Sequence, residues 1–249
     1  MNTFQKKVIL VTGAGRNLGR LIVENLALEG AILALNDLTP INLDEIIASF
    51  VPAGSKIKAY IYDPSKMMPA AALAAEVLED WGRVDALINC ASASPSSPIM
   101  EMDEWDWVRT MEINLGSAFC TMQQIGRIMQ RQGGGVIANI ISIPTLLKGH
   151  AGPQASQPLS APAPVYQAAF IASQAALLGL TLAAAPEFSA ANIRLYALAV
   201  GNYTLEQYPF LSKPPLSLPC TNLATALVHL FNDHSGAMIG HVLNISTGI

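Results

Sequence analysis

Short apolar runs alternate along this chain with longer segments in which apolar residues recur at helical spacing. The short runs predict seven strands, at residues 8–11, 31–36, 57–62, 86–89, 136–141, 194–199 and 241–245. The longer segments predict helices at residues 17–28, 43–50, 69–81, 103–114, 117–130, 165–185 and 222–232. Because strands and helices alternate throughout, the pattern predicts an α/β fold with a doubly wound, parallel, seven-stranded sheet.

Two irregular stretches interrupt this alternation. Residues 149–164 contain four prolines and two glycines, which exclude regular structure and predict a loop insertion. Residues 201–219 contain four more prolines among three aromatic residues. They follow the sixth strand, so they are well placed to cover a ligand at the carboxyl edge of the sheet. The length of 249 residues fits one domain, and we expect residues 1–249 to form it.

The composition limits the partners that the chain is expected to bind. Apolar residues make up 51% of the chain and charged residues only 13%, which favours burial of uncharged surface against other subunits. The net charge is −4 and there is no basic run, which argues against nucleic acid and an anionic membrane as partners. The expected ligand is therefore a small molecule.

The cysteines bear on the cellular compartment of the protein. Cys90, Cys120 and Cys220 are widely spaced, which predicts neither a disulfide framework nor a metal site and favours a reducing cytoplasm.

Residues 165–186 carry no charge and are the one candidate membrane span. Four polar residues interrupt that segment: Gln167, Ser173, Gln174 and Thr181. We therefore expect a buried interface helix and keep a membrane anchor as the alternative.

A glycine-containing turn follows the first predicted strand. It reads Thr12-Gly13-Ala14-Gly15-Arg16-Asn17-Leu18-Gly19 and leads into a helix, which would direct backbone N–H groups at a pyrophosphate. Asp37 ends the second strand, where a carboxylate is expected to bind the adenosine ribose. Its charge would repel the 2′-phosphate of NADP, so NAD is the expected cofactor. The residues expected to bind it here are Gly13, Arg16, Asn17, Leu18, Gly19 and Asp37.

These segments resemble the short-chain dehydrogenase/reductase family, whose fold is of the Rossmann type. The family's Thr-Gly-x-x-x-Gly-x-Gly turn is matched except at Asn17, which occupies the middle glycine position. Asparagine enters positive φ more readily than most residues, so we expect the turn to survive. The segments Asn89-Cys90-Ala91 and 239–245 resemble the family's Asn-Asn-Ala-Gly and its closing strand, so the resemblance covers essentially the whole chain.

The resemblance implies further contacts to the cofactor. Asp63 falls where the family's aspartate meets the adenine, although a turn-capping role before Pro64 stays open. The other implied contacts come from Asn89, Ala91, Gly201 and Thr204.

Residues 170–181 resemble the catalytic helix of that family, with two replacements. Phe170 stands in the place of the tyrosine that exchanges the proton, and Gln174 in the place of the lysine that lowers the tyrosine pKa. A phenyl ring has no proton to give, and a neutral amide does not shift a neighbour's pKa as an ammonium does. Asn114 and Ser142 match the family's two other catalytic places, although each also fits a cap or turn role.

These replacements imply a protein that binds NAD(H) but has little standard dehydrogenase activity. General acid–base catalysis contributes about 10² to 10⁴ in rate, so its loss would leave hydride transfer slow. Gln174 can still hydrogen-bond a ribose hydroxyl. Such a pseudoenzyme would serve as a cofactor- or ligand-binding subunit, beside an active relative.

The alternative is an active NAD-dependent oxidoreductase that acts on a carbonyl or alcohol. Tyr166 lies one helical turn before Phe170 and would act as a displaced proton donor with Ser142; His150 is a second candidate. In either case the resemblance implies a homo-dimer or homo-tetramer that buries residues 117–130 and 165–185, or a hetero-oligomer with an active relative. Trp105 and Trp107 are expected in the core or in that interface.

Overall fold

A computed structural model describes residues 4–51, 54–142, 167–200, 216–217, 223–232 and 242–245. The strands are β1 (Val8–Thr12), β2 (Ile32–Asn36), β3 (Lys56–Tyr60), β4 (Ala86–Asn89), β5 (Gly135–Ser142), β6 (Ile193–Val200), β7 (Leu216–Ser217) and β8 (Val242–Ile245). The helices are α1 (Asn17–Leu28), α2 (Pro40–Phe50), α3 (Met67–Trp81), α4 (Glu104–Met111), α5 (Ser117–Arg131), α6 (Ala168–Ala190) and α7 (Leu223–Asn232). A π-helical turn, Glu112–Gly116, joins α4 to α5.

The described strands form one parallel sheet in the order β3-β2-β1-β4-β5-β6-β8-β7. This arrangement confirms the predicted α/β fold with its doubly wound sheet. All seven predicted strands are present. The two-residue strand β7, which falls within the predicted covering loop, is added at the sheet edge beside β8.

The direction of winding changes between β1 and β4. The chain passes outward from β1 to β2 and β3, and β4 then lies on the other side of β1. Thr12 pairs with Asn36 of β2 and with Asn89 of β4, so the carboxyl ends of these strands are level. The segments that follow the three strands therefore meet at one edge, which is where open α/β sheets bind ligands.

Separate apolar clusters cover the two faces of the sheet. Along β1, Ile9 and Val11 pack on one face with Leu26 of α1, whereas Leu10 packs on the opposite face with Ile125 of α5. All five side chains are at most 1% exposed. Because successive strand residues point to opposite faces, this burial on both sides sets the register of β1 and the position of the turn that follows it.

Helices α2 and α3 begin three and two residues before their predicted starts, and two further helical segments differ more. Residues 104–131 are helical without a break, because the π-helical turn connects α4 to α5. Helix α6 continues past Pro186 to Ala190, although proline is unfavourable inside a helix. Phe188 in its last turn lies against Gly126 of α5, where an added Cβ would come 2.8 Å from the ring. This close packing accounts for the continuation.

Helix α6, whose one charged residue is Glu187, is long and apolar enough to cross a membrane by length and composition. In the structure it packs against β5, β6 and α4. Its buried side includes Ser173, Gln174 and Thr181 as well as Leu177 and Leu178. Burial of polar and apolar residues against the sheet is typical of a core helix, and it favours the predicted buried helix over the membrane anchor.

Helix α4 carries the two tryptophans. Thr110 is its one buried residue, and Asp103 caps its N-terminus by accepting a hydrogen bond from the Asp106 N–H at 2.6 Å. Trp105 and Trp107 are 69% and 38% exposed. The structure therefore excludes them from the core, and their place in a subunit interface stays a prediction.

Candidate cofactor and active site

A cleft of about 840 Å³ lies at the carboxyl edge of the sheet, at the point where the winding changes. Its lining includes the glycine turn, Asp37, Asp63 and residues 90–95, together with Phe170 and Gln174 of α6. The fold thus brings most predicted cofactor-binding residues to one surface with Phe170 and Gln174, the two positions at which the family resemblance predicts replacement of the catalytic pair.

The glycine turn has little space for side chains. A Cβ on Gly13 would lie 2.6 Å from the Cα of Ala91, and one on Gly19 would lie 1.9 Å from the carbonyl oxygen of Gly13. Asn17 has φ of 49°, which confirms that asparagine adopts the left-handed conformation in place of the family's glycine. Arg16, Asn17 and Leu18 also line the cleft.

The N-terminus of α1 faces this turn without a side-chain cap. Arg16 is the N-cap residue in extended conformation, its side chain makes no capping hydrogen bond, and the first turn contains no acidic residue. The first backbone N–H groups of a helix have no intrahelical acceptor and carry partial positive charge. The turn therefore fits a pyrophosphate, which such groups bind.

Asp37 links the second strand to the glycine turn. Its Oδ2 accepts a hydrogen bond from the Gly15 N–H at 2.9 Å, and its Oδ1 accepts one from the Thr39 N–H at 3.2 Å. A Cβ on Gly15 would lie 2.9 Å from that Oδ2, so a larger residue there would force the Asp37 side chain to shift. Gly15 was not among the predicted site residues, although its place between Gly13 and Asn17 was the available signal. A carboxylate held in this way fits a ribose diol beside the pyrophosphate.

Asp63 is held by two neighbours at another part of the cleft. Its Oδ1 accepts hydrogen bonds from the N–H and hydroxyl of Ser65, at 3.1 and 2.6 Å, and its Oδ2 accepts one from Arg109 Nη2 at 3.0 Å. Burial acts to raise the pKa of Asp63, but the Ser65 hydrogen bonds and the Arg109 charge outweigh it and lower that pKa. The turn-capping role is therefore present, and the carboxylate also lines the cleft. Ser65 and Arg109 were missed from the sequence.

The Asn89 side chain does not reach the cleft, contrary to its predicted place among the cofactor contacts. It is 4% exposed. Its Nδ2 donates to Asn139 Oδ1 at 2.8 Å, and its Oδ1 accepts from the Thr121 hydroxyl at 2.8 Å. Asn139 in turn donates to the Thr181 hydroxyl of α6 at 2.8 Å. Asn89 therefore joins β4 to β5 and α5, while its neighbour Ala91 lines the cleft.

Asn114 forms a brace inside the π-helical turn. Its Oδ1 accepts from the Ala93 N–H at 2.7 Å, and its Nδ2 donates to the Ala93 carbonyl at 2.9 Å and to the Ser173 hydroxyl at 2.8 Å. The Ser173 hydroxyl donates to the Phe170 carbonyl at 2.7 Å. The Asn114 side chain, 1% exposed, thus holds the cleft wall against the first turn of α6 and is not itself part of the lining.

Phe170 and Gln174 lie one turn apart on α6 and both line the cleft. They are 6% and 2% exposed. Burial raises the pKa of the thiol of Cys90, another lining residue, to about 12. Phe170 itself carries no proton to transfer.

Several predicted positions fall outside the described residues. The main chain of Ser142 ends β5 opposite Val200, but its side chain is not described. The two candidate donors, Tyr166 and His150, also lie outside, as do Gly201 and Thr204.

Comparisons with known proteins agree with this geometry. The family model described as short chain dehydrogenase matches residues 7–206. The 3-oxoacyl-(acyl-carrier-protein) reductase FabG of Thermotoga maritima is 27% identical over 254 residues, which cover 98% of this chain and 97% of that protein. The short chain dehydrogenase/reductase astE of Aspergillus oryzae is 33% identical over 202 residues, which cover 80% of this chain and 72% of that protein.

Solved structures share the fold over nearly the whole chain. The NAD+-bound xylitol dehydrogenase superposes with a TM-score of 0.77 at 26% identity, covering 98% of this chain and 99% of its own. A metagenomic short-chain oxidoreductase in complex with NADP superposes with a TM-score of 0.76 at 26% identity, covering 98% of this chain and 99% of its own. With the family match extending over most of its length, this chain belongs to the short-chain dehydrogenase family.

Proposed function

We propose that this chain binds NAD(H) in the cleft and has little standard dehydrogenase activity. One observation carries the proposal: the same surface keeps the glycine turn and Asp37 but has Phe170 and Gln174 in the places of the family's tyrosine and lysine. Cofactor recognition and proton transfer depend on different parts of the cleft, so one can persist without the other.

The loss concerns proton transfer. A bound nicotinamide supplies or accepts a hydride, whereas the protein exchanges a proton with the substrate oxygen. Phe170 has no exchangeable proton, and the Gln174 amide is neutral where an ammonium would favour an ionised donor. Without this acid–base contribution, the rate falls by about 10² to 10⁴. Gln174 lines the cleft, and its amide is proposed to contact a ribose hydroxyl.

NAD is proposed over NADP because of the charge on Asp37. The carboxylate is 8% exposed, and a 2′-phosphate with a charge of roughly −1.5 to −2 would lie against it. Arg16 opposes this preference, but its side chain is exposed and its charge is screened by solvent. Relatives of equal identity have been solved with NAD+ and with NADP, so the argument rests on the carboxylate.

We propose that the protein acts as a cytoplasmic cofactor- or ligand-binding subunit for a small molecule. A groove of about 490 Å³ between α5 and α6, beside the 45% exposed Phe119, supports burial of these helices against another subunit. That subunit would be a second copy in a dimer or tetramer, or an active relative.

Calorimetric titration with NAD and NADP tests the proposed binding. NAD is expected to bind more tightly, and Asp37→Ala is expected to reduce the difference between the two cofactors. The absence of heat with either cofactor would reject cofactor binding.

A steady-state assay tests the proposed lack of turnover. NADH oxidation is measured with simple ketones and with a 3-oxoacyl thioester, the substrate class in the name of one relative. Rapid turnover would favour the alternative of an active oxidoreductase. Loss of that turnover in Tyr166→Phe or His150→Ala, with Phe170→Leu as the unaffected control, would then identify the displaced donor.

A further inference from the structure

We propose that Arg109 is a positioning residue for base recognition. By holding the Asp63 carboxylate, it makes the cleft select a purine with an amino group at C6 over one with a carbonyl there. The inference rests on the proposed NAD binding and adds a residue of α4 that determines base specificity.

Arg109 is tied to three partners. Its Nη2 donates to Asp63 Oδ2 at 3.0 Å, and its Nη1 donates to the Ser65 hydroxyl at 3.1 Å and to Glu112 Oε2 at 3.3 Å. The side chain is 22% exposed and lines the cleft. Because a guanidinium is planar and these partners lie on different segments, its orientation is restricted.

The same contacts limit what Asp63 can offer to a ligand. Its Oδ1 already accepts two hydrogen bonds from Ser65, whereas within the described part of the chain its Oδ2 accepts one, from Arg109. A carboxylate oxygen accepts about two hydrogen bonds, so Oδ2 retains one acceptor position. The side chain is 31% exposed and lines the cleft. An ionised carboxylate has no proton to donate, so this position suits an amino group and repels a carbonyl oxygen.

Neighbouring charges favour a positioning role over an anion site at Arg109. Its positive charge is balanced by Asp63 and Glu112, and Glu112 also pairs with Lys66. Ser65 and Lys66 follow Asp63 after Pro64, so the contacts form a closed ring between this segment and residues 109–112. Removing Arg109 would leave the Ser65 contacts on Oδ1 but would release Oδ2. Removal of Arg109 should therefore change the preference for the purine base more than it changes the stability of the fold.

Calorimetry with NAD and nicotinamide hypoxanthine dinucleotide tests the inference, because the second ligand has a carbonyl at C6 of the base, and a hydrogen on the adjacent N1, where NAD has an amino group at C6. The wild-type protein is expected to bind NAD about tenfold more tightly, as a charge-assisted hydrogen bond is gained with one ligand and lost with the other. Arg109→Met is expected to reduce this ratio to about threefold or less, since the neutral Met cannot hold Oδ2. Asp63→Asn should abolish the preference, because an amide can accept from an amino group or donate to a carbonyl.

Arg83→Met is the matched control. Arg83 also pairs with an aspartate, Asp85, with Nη2 and Oδ1 2.7 Å apart, but it precedes β4 at the opposite edge of the sheet and does not line the cleft. This variant should keep the tenfold ratio. Arg109→Lys provides a second test, because it retains the positive charge, and it should give an intermediate ratio of the two affinities. Thermal unfolding of each variant checks that the protein is folded.

Two outcomes separate the inference from the proposed function. If the wild-type protein binds neither dinucleotide, the proposed cofactor binding is wrong and the inference falls with it. If the wild-type protein binds NAD, but folded Arg109→Met and Arg109→Lys keep the wild-type ratio, the positioning role is wrong and the proposed function stands.

Discussion

Asn114→Ala is expected to destabilise the protein by about 3 kcal/mol, because one side chain makes three hydrogen bonds at the base of the cleft. The substitution leaves the Ala93 N–H without its acceptor, which costs about 1–3 kcal/mol for a buried donor. The Ala93 carbonyl and Ser173 hydroxyl each lose a donor, at about 0.5–1.5 kcal/mol apiece. Ala93 is only partly buried, so water replaces part of the loss and the expected total falls near 3 kcal/mol.

Urea unfolding measures this effect, and thermal unfolding should show a decrease of about 6–12 °C for a chain of this size. Asn25→Ala is the matched control, since among the described residues the Asn25 amide donates to the Leu21 carbonyl of its own helix and to no other element. It should stay within about 0.5 kcal/mol of the wild-type protein. If Asn114→Ala lowers the free energy of unfolding by less than about 1 kcal/mol, with an unchanged denaturant slope, the bracing role of Asn114 is wrong.

The remaining predictions concern catalysis, the glycine turn and acid stability. Phe170→Tyr combined with Gln174→Lys is expected to raise NADH-dependent ketone turnover by about 10² to 10⁴; a folded, NAD-binding double variant without any increase would contradict the proposed cause of low activity. Gly19→Ala should abolish NAD binding by calorimetry, because its Cβ would lie 1.9 Å from a backbone oxygen; unchanged affinity would be inconsistent with this geometry. Because the pKa of Asp63 is lowered in the folded protein, its carboxylate stabilises the fold fully above the unfolded carboxyl pKa of about 3.9. This stabilisation is lost as pH falls through the pKa of Asp63 in the folded protein. The stability difference between wild-type and Asp63→Asn proteins should therefore shrink on acidification, and a difference that grows would contradict the sign.

The local backbone of the site was predictable from the sequence. Gly13 and Asn17 adopt positive φ, with values of 65° and 49°, as their residue types suggested. The ends of the strands were also predictable, because a buried strand is a short apolar run and this run stops at a polar or glycine residue. Both features depend on a few consecutive residues, and tertiary packing on the two faces of the sheet reinforces them.

Long-range side-chain contacts were not predictable in the same way. Arg109 lies 46 positions from Asp63, and their ion pair depends on how α4 is rotated and packed. Asn89 was expected at the cleft, but its partners Thr121 and Asn139 lie 32 and 50 positions away and draw its side chain into the protein interior. No periodicity in a single sequence encodes such pairings, because they arise only when separate elements pack together.

Residue type alone fixes the chemistry that each position can perform: a phenyl ring at 170 without a proton, a neutral amide at 174 and a carboxylate at 37. Packing of the helices on the sheet places these three groups in one cleft, whose walls are held by Asn114 and Arg109. Proton transfer and charge are properties of single side chains, so they can be assigned before the fold is known. Proximity, in contrast, follows from the parallel sheet, which brings the carboxyl ends of strands distant in the chain to one edge.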